Sequence, residues 1–243
     1  MVLSWELKVD SEPDPSTIPP RQPRVPIHEP IVLFGLARSV YTRIARLVLE
    51  EKAVPYSLQE VDIFGAAGVP PEHLDRHPFG RIPVLQHGKL TTLYETTAIT
   101  RYVDEFFPGT SLQPSDPLRR ARMNQVIGIV DAYAYRPMVW GVFVQRVRVP
   151  QNGGTPNESE ISASLQSATT CLRALSGLLG AAPFMAGDSL SLADLHAYPI
   201  LCCFALSPEG RQLLVAHDAL HRWFKAMSMR TSVARTAPPC ETV

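Results

Sequence analysis

Residues 78–85 read Pro-Phe-Gly-Arg-Ile-Pro-Val-Leu, and after a short turn residues 93–99 read Leu-Tyr-Glu-Thr-Thr-Ala-Ile. Pro83 stands directly before the apolar pair Val84–Leu85, which is typical of a strand. Because proline has no N–H to give to a sheet, it belongs at the first residue of that strand or in a bend. An X–Pro bond in such a bend can be cis. A cis bond would turn the N–H and C=O of Ile82 outward, where they can pair with an extended ligand.

A helix is predicted directly after this strand region. Glu95 and Thr96 precede apolar residues at helical spacing, namely Ala98, Ile99, Tyr102, Val103 and Phe106. The predicted helix start therefore combines a carboxylate, a hydroxyl and free backbone N–H groups. This combination favours the binding of a small zwitterionic ligand.

The composition is that of a globular chain of one or two domains, with 243 residues, 45% hydrophobic and 19% charged. Lys plus Arg and Asp plus Glu number 23 each, so charge gives no reason to expect binding to nucleic acid or to an anionic membrane. No apolar run of about 18 residues occurs, and the first residues lack the pattern of a secretory signal. We therefore expect a cytoplasmic protein with neither nucleic acid nor membrane as a partner.

The four cysteines are not arranged for metal binding or for dithiol chemistry. They are Cys171, Cys202, Cys203 and Cys240, with no C-x-x-C pair among them. The first three lie in apolar helical patterns and are interpreted as buried thiols, whereas Cys240 lies in a proline-containing tail. We expect neither a bound metal nor a disulfide framework.

Four segments follow from the pattern along the chain. Residues 1–29 are rich in proline and are predicted to form an extended arm. Residues 30–109 alternate strands and helices in the order β-α-β-α-β-β-α, with a second strand expected over Ser57 to Ile63. Residues 110–117 are a linker, and residues 118–243 are predicted to be all-helical.

The proline loop followed by Glu95-Thr96 resembles the thioredoxin-like half of the cytosolic glutathione transferases, in which a cis-proline loop and a Glu-Ser step hold glutathione. The resemblance covers residues 31 to about 235 and is to serine-type members of the bacterial, phi or zeta kind. It implies an α/β thioredoxin-like βαβαββα domain followed by an all-α domain. The helix start Ser191-Leu-Ala-Asp194 is a capping box and is similar to the folding motif of the family's second domain.

The end of the first predicted strand bears on the chemistry. Thioredoxin-like oxidoreductases carry C-x-x-C there, whereas this chain has Ser39-Val-Tyr-Thr42, which excludes disulfide exchange. A hydroxyl can instead stabilise a ligand thiolate; lowering a thiol pKa by about two units needs about 2.7 kcal/mol. One charge-assisted hydrogen bond and the helix dipole can supply that.

From the residues alone, Ser39 is a plain helix cap. The resemblance implies instead that it is the activating hydroxyl. Arg43 follows Thr42 directly, a departure from the family pattern, so Tyr41 and Thr42 remain alternatives.

The resemblance also implies a set of ligand-binding residues. For glutathione these are Arg81, Ile82, Pro83, Glu95 and Thr96. Glu95 would take the γ-glutamyl ammonium group, Thr96 the adjacent carboxylate, and the main chain of Ile82 the cysteine of the tripeptide. His73 is a further candidate, for the glycyl carboxylate. For the electrophile the resemblance implies Tyr41, Tyr135 and Trp140, although core packing is the alternative for the two residues of the helical half.

The function that these features imply is that of a dimeric glutathione transferase in detoxification. Glutathione is the cosubstrate, and its thiolate attacks a small apolar electrophile by halide displacement or conjugate addition. A glutathione-dependent lyase, isomerase or dehalogenase would use the same first half. The other alternative is a non-catalytic interaction module, which would have no need of Ser39, Ile82-Pro83 and Glu95-Thr96.

Overall fold

The computed structural model describes residues 29–66, 68–89 and 91–238. The arm predicted for residues 1–29 lies outside these ranges, apart from Glu29, and so does Cys240. Within them, no helix is long and apolar enough to cross a bilayer.

The first half is a thioredoxin-like sheet with helices. Its elements are β1 Ile31–Phe34, α1 Val40–Glu51, β2 Ser57–Gln59, α2 Pro71–Arg76, β3 Val84–His87, β4 Thr91–Tyr94 and α3 Thr96–Phe106. The strand order is β2-β1-β3-β4, with β2 parallel to β1 and the two other pairs antiparallel. The predicted order β-α-β-α-β-β-α is confirmed. The second strand is shorter than predicted, because β1 ends at Phe34 and pairs only as far as Gln59.

The second half consists of helices, apart from an isolated bridge between Phe184 and Gly187, within the described residues. They are α4 Pro117–Ile129, two π-helical segments Val130–Ala134 and Arg136–Arg148, α5 Val149–Gln151, α6 Glu158–Leu179, α7 Leu192–Ala205, α8 Pro208–Val215, α9 Asp218–Ser228 and α10 Thr231–Thr236. The predicted all-helical architecture of this half is confirmed.

The π-helical segments widen the helix that faces the first half. The N–H of Tyr135 bonds to the carbonyl of Val130, five residues back. Pro137 has no N–H for the carbonyl of Tyr133, which instead accepts a hydrogen bond from the buried thiol of Cys171 at 3.2 Å. Such wide turns are rare and occur frequently at functional sites. They also change which residues share a face of the helix.

One apolar core runs through both halves. Ile44 and Leu47 of α1 belong to the same buried cluster as Leu195 and Ile200 of α7, against which α1 packs. Each such side chain stabilises the fold by about 1.5–3 kcal/mol through burial. The position of α1, and of the residues at its N-terminus, is therefore set by both halves together.

The start of α7 is anchored by the predicted capping box, which the structure confirms. The fully buried carboxylate of Asp194 accepts from the Ser191 N–H at 2.9 Å and the Ser191 hydroxyl at 2.8 Å. It also accepts from the Met185 N–H and from Nε1 of Trp223, each at 2.8 Å. Asp194 thus ties α7 to α9 and to the turn that precedes α7.

The C-terminal helix α10 holds the outer side of α1. Arg46 donates to the carbonyls of Arg235 and Thr236, at 3.1 and 3.3 Å. Arg230, just before α10, makes a two-pronged ion pair with Glu51 at 2.8 and 2.7 Å. These contacts join residues that are 179 to 190 positions apart in the chain.

Candidate active site

A cleft of about 560 Å³ opens between the sheet half and the π-helical segments. From the first half it is lined by Ser39, Tyr41, Ile63, Phe64, His77, Arg81, Ile82, Pro83, Glu95, Thr96 and Thr97. From the second half it is lined by Asp131, Tyr135, Arg136 and Trp140. The cleft therefore brings together Ser39, the five residues predicted to bind glutathione and the three predicted for the electrophile, but neither Thr42 nor His73.

Ser39 is the residue before α1 and caps that helix. Its backbone is extended, with φ −74° and ψ 130°, and its hydroxyl oxygen accepts from the Thr42 N–H at 3.4 Å. The hydroxyl proton is given to no other group in the described part of the chain, so it is available to a ligand in the cleft. The N-terminus of α1 adds a positive partial charge at the same place.

The two alternatives to Ser39 lie in different environments. Thr42 is fully buried against Gly35, whose lack of a side chain makes room for it, and it does not line the cleft. Tyr41 does line the cleft. Its ring lies 4.6 Å from that of Tyr135, between centroids.

The proline loop has the predicted geometry, with a cis bond between Ile82 and Pro83. The side chain of Ile82 is buried with Phe34 and Val84 in a small apolar cluster. Its main chain makes no backbone hydrogen bond with the rest of the described chain. The loop is therefore anchored by a side chain, and its peptide groups remain available to a ligand.

Two histidines support this loop from behind. His73 is fully buried, and its Nε2 lies 2.7 Å from the carbonyl oxygen of Arg81. Because that oxygen can only accept, Nε2 carries the proton. His77 accepts from the Phe79 N–H at 3.3 Å. His73 thus holds the loop through the Arg81 carbonyl and does not line the cleft, and its candidate role at a glycyl carboxylate stays a prediction.

Glu95 and Thr96 stand at the start of α3, as the sequence predicts. Glu95 has a φ of 69°, which a residue with a side chain rarely adopts. Such a conformation costs about 1–3 kcal/mol and is found most often at functional sites. Its exposed carboxylate forms no cap hydrogen bond with the helix. The arrangement presents an unused carboxylate beside the free N–H groups of a helix start.

The opposite wall of the cleft is aromatic. Nε1 of Trp140 donates to the Tyr135 hydroxyl at 3.0 Å, and the ring of Phe64 lies 6.1 Å from that of Trp140. Asp131, Tyr135 and Trp140 are four and then five residues apart, a spacing that the wide turns place on one face. Met138 and Phe143, between and beyond them, are buried in the core.

Several cleft residues were missed by the sequence analysis, namely Ile63, Phe64, His77, Thr97, Asp131 and Arg136. Asp131 lies on the same helix as Tyr135, but a helical period of 3.6 gives no reason to group it with Trp140. Phe64 belongs to a loop, where no periodicity applies. No group of three or more His, Cys, Asp or Glu side chains suited to a metal occurs in the described residues.

Burial shifts the pKa values of Tyr41 and Asp131, two residues that line the cleft. Desolvation raises the pKa of Asp131 to about 6; the nearby Tyr41 hydroxyl opposes this rise, and the negative charge of Glu95 adds to it. Desolvation, followed by the charge of Asp131, raises the pKa of Tyr41 far above its ordinary value. Tyr41 is therefore a neutral hydrogen-bond donor, and Asp131 changes its charge close to neutral pH.

Two family models match the chain. The glutathione S-transferase N-terminal domain covers residues 38–105, and the glutathione S-transferase C-terminal domain covers residues 127–230. Glutathione S-transferase 4 of Zea mays is 30% identical over 207 residues, which are 85% of this chain and 92% of the relative. Glutathione S-transferase F13 of Arabidopsis thaliana is 28% identical over 208 residues, 85% of this chain and 94% of that protein.

Solved structures agree in fold. Glutathione S-transferase III in apo form has a TM-score of 0.77 at 26% identity, over 86% of this chain and 97% of its own. Glutathione S-transferase I from mais, in complex with an atrazine glutathione conjugate, has a TM-score of 0.74 at 30% identity, over 86% of this chain and 96% of its own. Since both halves match in sequence and the fold matches over almost the whole length of these proteins, the chain belongs to the glutathione S-transferase family.

Proposed function

We propose that this protein is a glutathione transferase that binds glutathione in the cleft and uses its thiolate to attack a small apolar electrophile. One observation carries the proposal: Ser39, the Ile82-Pro83 loop and the Glu95-Thr96 helix start line the same cleft. A hydroxyl at a helix N-terminus stabilises an anion there. The other two features offer main-chain groups and a carboxylate to the tripeptide.

Each part of glutathione has a complementary group in the cleft. The carboxylate of Glu95 takes the γ-glutamyl ammonium, and Thr96, with the α3 N-terminus, takes the adjacent carboxylate. The main chain of Ile82, beside Pro83, pairs with the cysteine, and the exposed guanidinium of Arg81 is a further cation for a carboxylate. The thiol is then directed towards Ser39.

The aromatic wall suits the second substrate. Tyr41, at the start of α1, and Tyr135 and Trp140, on the helix of the second half, present aromatic rings to the cleft. Aromatic surfaces of this kind bind apolar molecules and use only a few polar groups to orient them. We therefore assign the electrophile to this wall.

A titration of the wild-type protein with glutathione across pH, followed by the ultraviolet absorbance of the thiolate, tests the proposal. We expect a saturable thiolate signal whose midpoint lies about two units below the ordinary thiol pKa of about 8.5. S-methylglutathione, which has no ionisable thiol, is the blank. Absence of binding would overturn the proposal and favour an interaction module.

A homodimer is part of the proposal. Phe79 is 71% exposed, and with the partly exposed Leu74 and Tyr94 it forms an apolar patch beside the cleft. We expect Phe79→Ser to shift the protein from dimer to monomer in analytical ultracentrifugation, because the patch loses its largest apolar side chain. Met229→Ser, at a residue 85% exposed on another surface, is the matched control. A wild-type monomer would contradict the proposal.

The proposal also covers the division of the chain into domains and the place of the protein in the cell. We assign residues 30–109 to the glutathione-binding domain, 110–117 to a linker and 118–243 to the helical domain, with a detoxifying role in the cytoplasm. Limited proteolysis that first removes the arm at residues 1–29, and next cuts within 110–117, would support the division. First cleavage inside either domain would contradict it.

His73 offers a test of the loop that holds glutathione. His73→Phe keeps a ring in the buried site but removes the hydrogen bond to the Arg81 carbonyl. A lost hydrogen bond of about 0.5–1.5 kcal/mol predicts a KM for glutathione about 2- to 10-fold higher, with kcat changed less. His221→Phe, on α9 and away from the cleft, is the control. Equal KM values in the two variants would show that His73 does not position the loop.

A further inference from the structure

A buried hydrogen bond joins the helical half to α3, the helix that begins beside Glu95 and Thr96. His196 of α7 and Thr100 of α3 are both fully buried, and Nε2 of His196 lies 3.1 Å from the Thr100 hydroxyl oxygen. That hydroxyl oxygen also lies 3.2 Å from the carbonyl oxygen of Thr97, a residue that lines the cleft. The three groups therefore form a chain from the core of the second half to the first turn of α3.

The protons in this chain follow from what each atom can do. A carbonyl oxygen only accepts, so the Thr100 hydroxyl gives its single proton to Thr97. Both contacts are then hydrogen bonds only if Nε2 of His196 carries a proton and donates it to the Thr100 oxygen. Nδ1 of the same ring is buried and has no hydrogen-bond partner in the described residues. Burial, followed by the charge of Arg101, lowers the pKa of His196 to about 3, so the ring is neutral at neutral pH.

The place of His196 in the core is not explained by stability. α7 is buried from Leu192 to Phe204, and a nitrogen without a partner destabilises the fold in such surroundings, whereas an apolar side chain would not. A hydrogen bond within a core does, however, restrict the elements that it joins to one arrangement. The element that the His196 hydrogen bond restricts is α3.

Both helices give this hydrogen bond a rigid frame. Asp194, two residues before His196, anchors α7 through the four hydrogen bonds described above. The other end of α3 is held to α1, because Nζ of Lys52 donates to the carbonyl and the carboxylate of Asp104 at 3.0 and 3.2 Å. The hydrogen bond from His196 therefore acts on the end of α3 that faces the cleft.

We propose that His196 is a positioning residue for glutathione, which holds the first turn of α3, through Thr100, where Glu95 and Thr96 take the γ-glutamyl group. This inference rests on the proposed function, because it assumes that glutathione occupies the cleft. His196 does not itself line the cleft and acts only through α3. Without the hydrogen bond the turn can adopt more arrangements, and a ligand that binds there has to order it. The helical half thus contributes to the affinity for glutathione as well as to the electrophile side of the cleft.

Two ligands that differ only in the γ-glutamyl group test the proposal. S-hexylglutathione carries this group, and in N-acetyl-S-hexylcysteinylglycine an acetyl group replaces it. Isothermal titration calorimetry gives the Kd of each ligand, and we expect the wild type to bind S-hexylglutathione more tightly. For His196→Leu and for Thr100→Val we expect S-hexylglutathione to bind about 2- to 10-fold more weakly, as the loss of one hydrogen bond predicts. The acetylated ligand should keep its affinity in both variants.

Two further variants separate the hydrogen bond from the packing around it. His196→Gln places an amide N–H near the position of Nε2 and should recover most of the affinity for S-hexylglutathione. Asn124→Ala is the matched control, because it removes an exposed hydrogen bond from Arg101 of α3 to α4 and should leave both affinities unchanged. Because His196 and Thr100 share one hydrogen bond, the double variant should lose less affinity than the sum of the two single losses.

The outcomes separate this inference from the proposed function. If the wild type binds neither ligand, the proposed function fails and the inference fails with it. Equal affinity of the wild type for the two ligands would show that α3 does not bind the γ-glutamyl group, which also overturns the inference. If the wild type prefers S-hexylglutathione but the variants weaken both ligands equally, or neither, the proposed function stands and the positioning role is wrong. Thr100→Val keeps the shape of its side chain, so the test remains decisive if His196→Leu does not fold.

Discussion

Replacing Ser39 by alanine is expected to raise the pKa of bound glutathione by about one to two units and to lower kcat/KM below that pKa by about 10- to 100-fold. The hydroxyl is free to donate to the thiolate, and a hydrogen bond to a charged group contributes about 1.5–3 kcal/mol. Each pKa unit corresponds to about 1.36 kcal/mol. The α1 N-terminus remains in the variant, so the thiol keeps part of its acidity. A pH titration of thiolate absorbance, with the pH profile of kcat/KM, measures both effects.

The control for this variant must lose a helix cap without touching the cleft. Ser39 also accepts from the Thr42 N–H, and loss of a cap costs about 1 kcal/mol of stability. Asn157 caps α6 in the same way, accepting from the Glu160 N–H at 3.1 Å. Asn157→Ala should therefore match the loss of stability and retain the thiol pKa. If the thiol pKa stays low in Ser39→Ala, Tyr41 becomes the activating hydroxyl, because Thr42 does not line the cleft.

Replacing Asp194 by alanine is expected to lower the free energy of unfolding by about 3–5 kcal/mol. Its carboxylate accepts four hydrogen bonds in a site with no exposure. Alanine would leave the N–H of Met185 and Nε1 of Trp223 buried without an acceptor, and each such loss costs about 1–3 kcal/mol. Together with the lost cap of α7, this places the variant among the most destabilising single changes. Urea unfolding followed by circular dichroism gives the value.

Asp188→Ala is the matched comparison for that loss. Asp188 lies six residues before Asp194 and makes an exposed ion pair with Arg119 at 2.9 Å. Exposed pairs of this kind contribute about 0–1 kcal/mol. If the two variants lost the same stability, the four hydrogen bonds to Asp194 would not be what anchors α7.

The parts of the fold that the sequence predicts are those set by local chemistry. Pro83 can stand only at a strand start or bend, and it precedes β3. Glu95 and Thr96 precede an apolar helical period and begin α3. Ser191 and Asp194 form their capping box from residues three apart. Each of these predictions depends on a few neighbouring residues, so no knowledge of the rest of the chain is needed.

The features that escaped prediction depend on residues far apart in the chain. His73 supports the proline loop only because α2 packs behind it, and sequence gives no sign of which carbonyl a buried histidine meets. Tyr41 and Asp131 line the same cleft although they lie 90 positions apart in the chain. The π-helical turns replace the ordinary helical period, so the face that carries Asp131 and Trp140 could not be derived from spacing. The cleft as a whole therefore could not be predicted without the structure. Most of its residues on the glutathione side, however, could be predicted from the sequence.

The contacts between α10 and α1 have a consequence for recombining relatives of this protein. Exchanging the helical half between two parents would seem a simple way to change electrophile choice while keeping the glutathione side. Arg46 and Glu51, however, hold Ser39's helix in place through Thr236 and Arg230. A chimaera should therefore take residues 230–236 from the parent that supplies α1. When two relatives are recombined, the segment that encodes α10 therefore has to be inherited together with the first half of the chain.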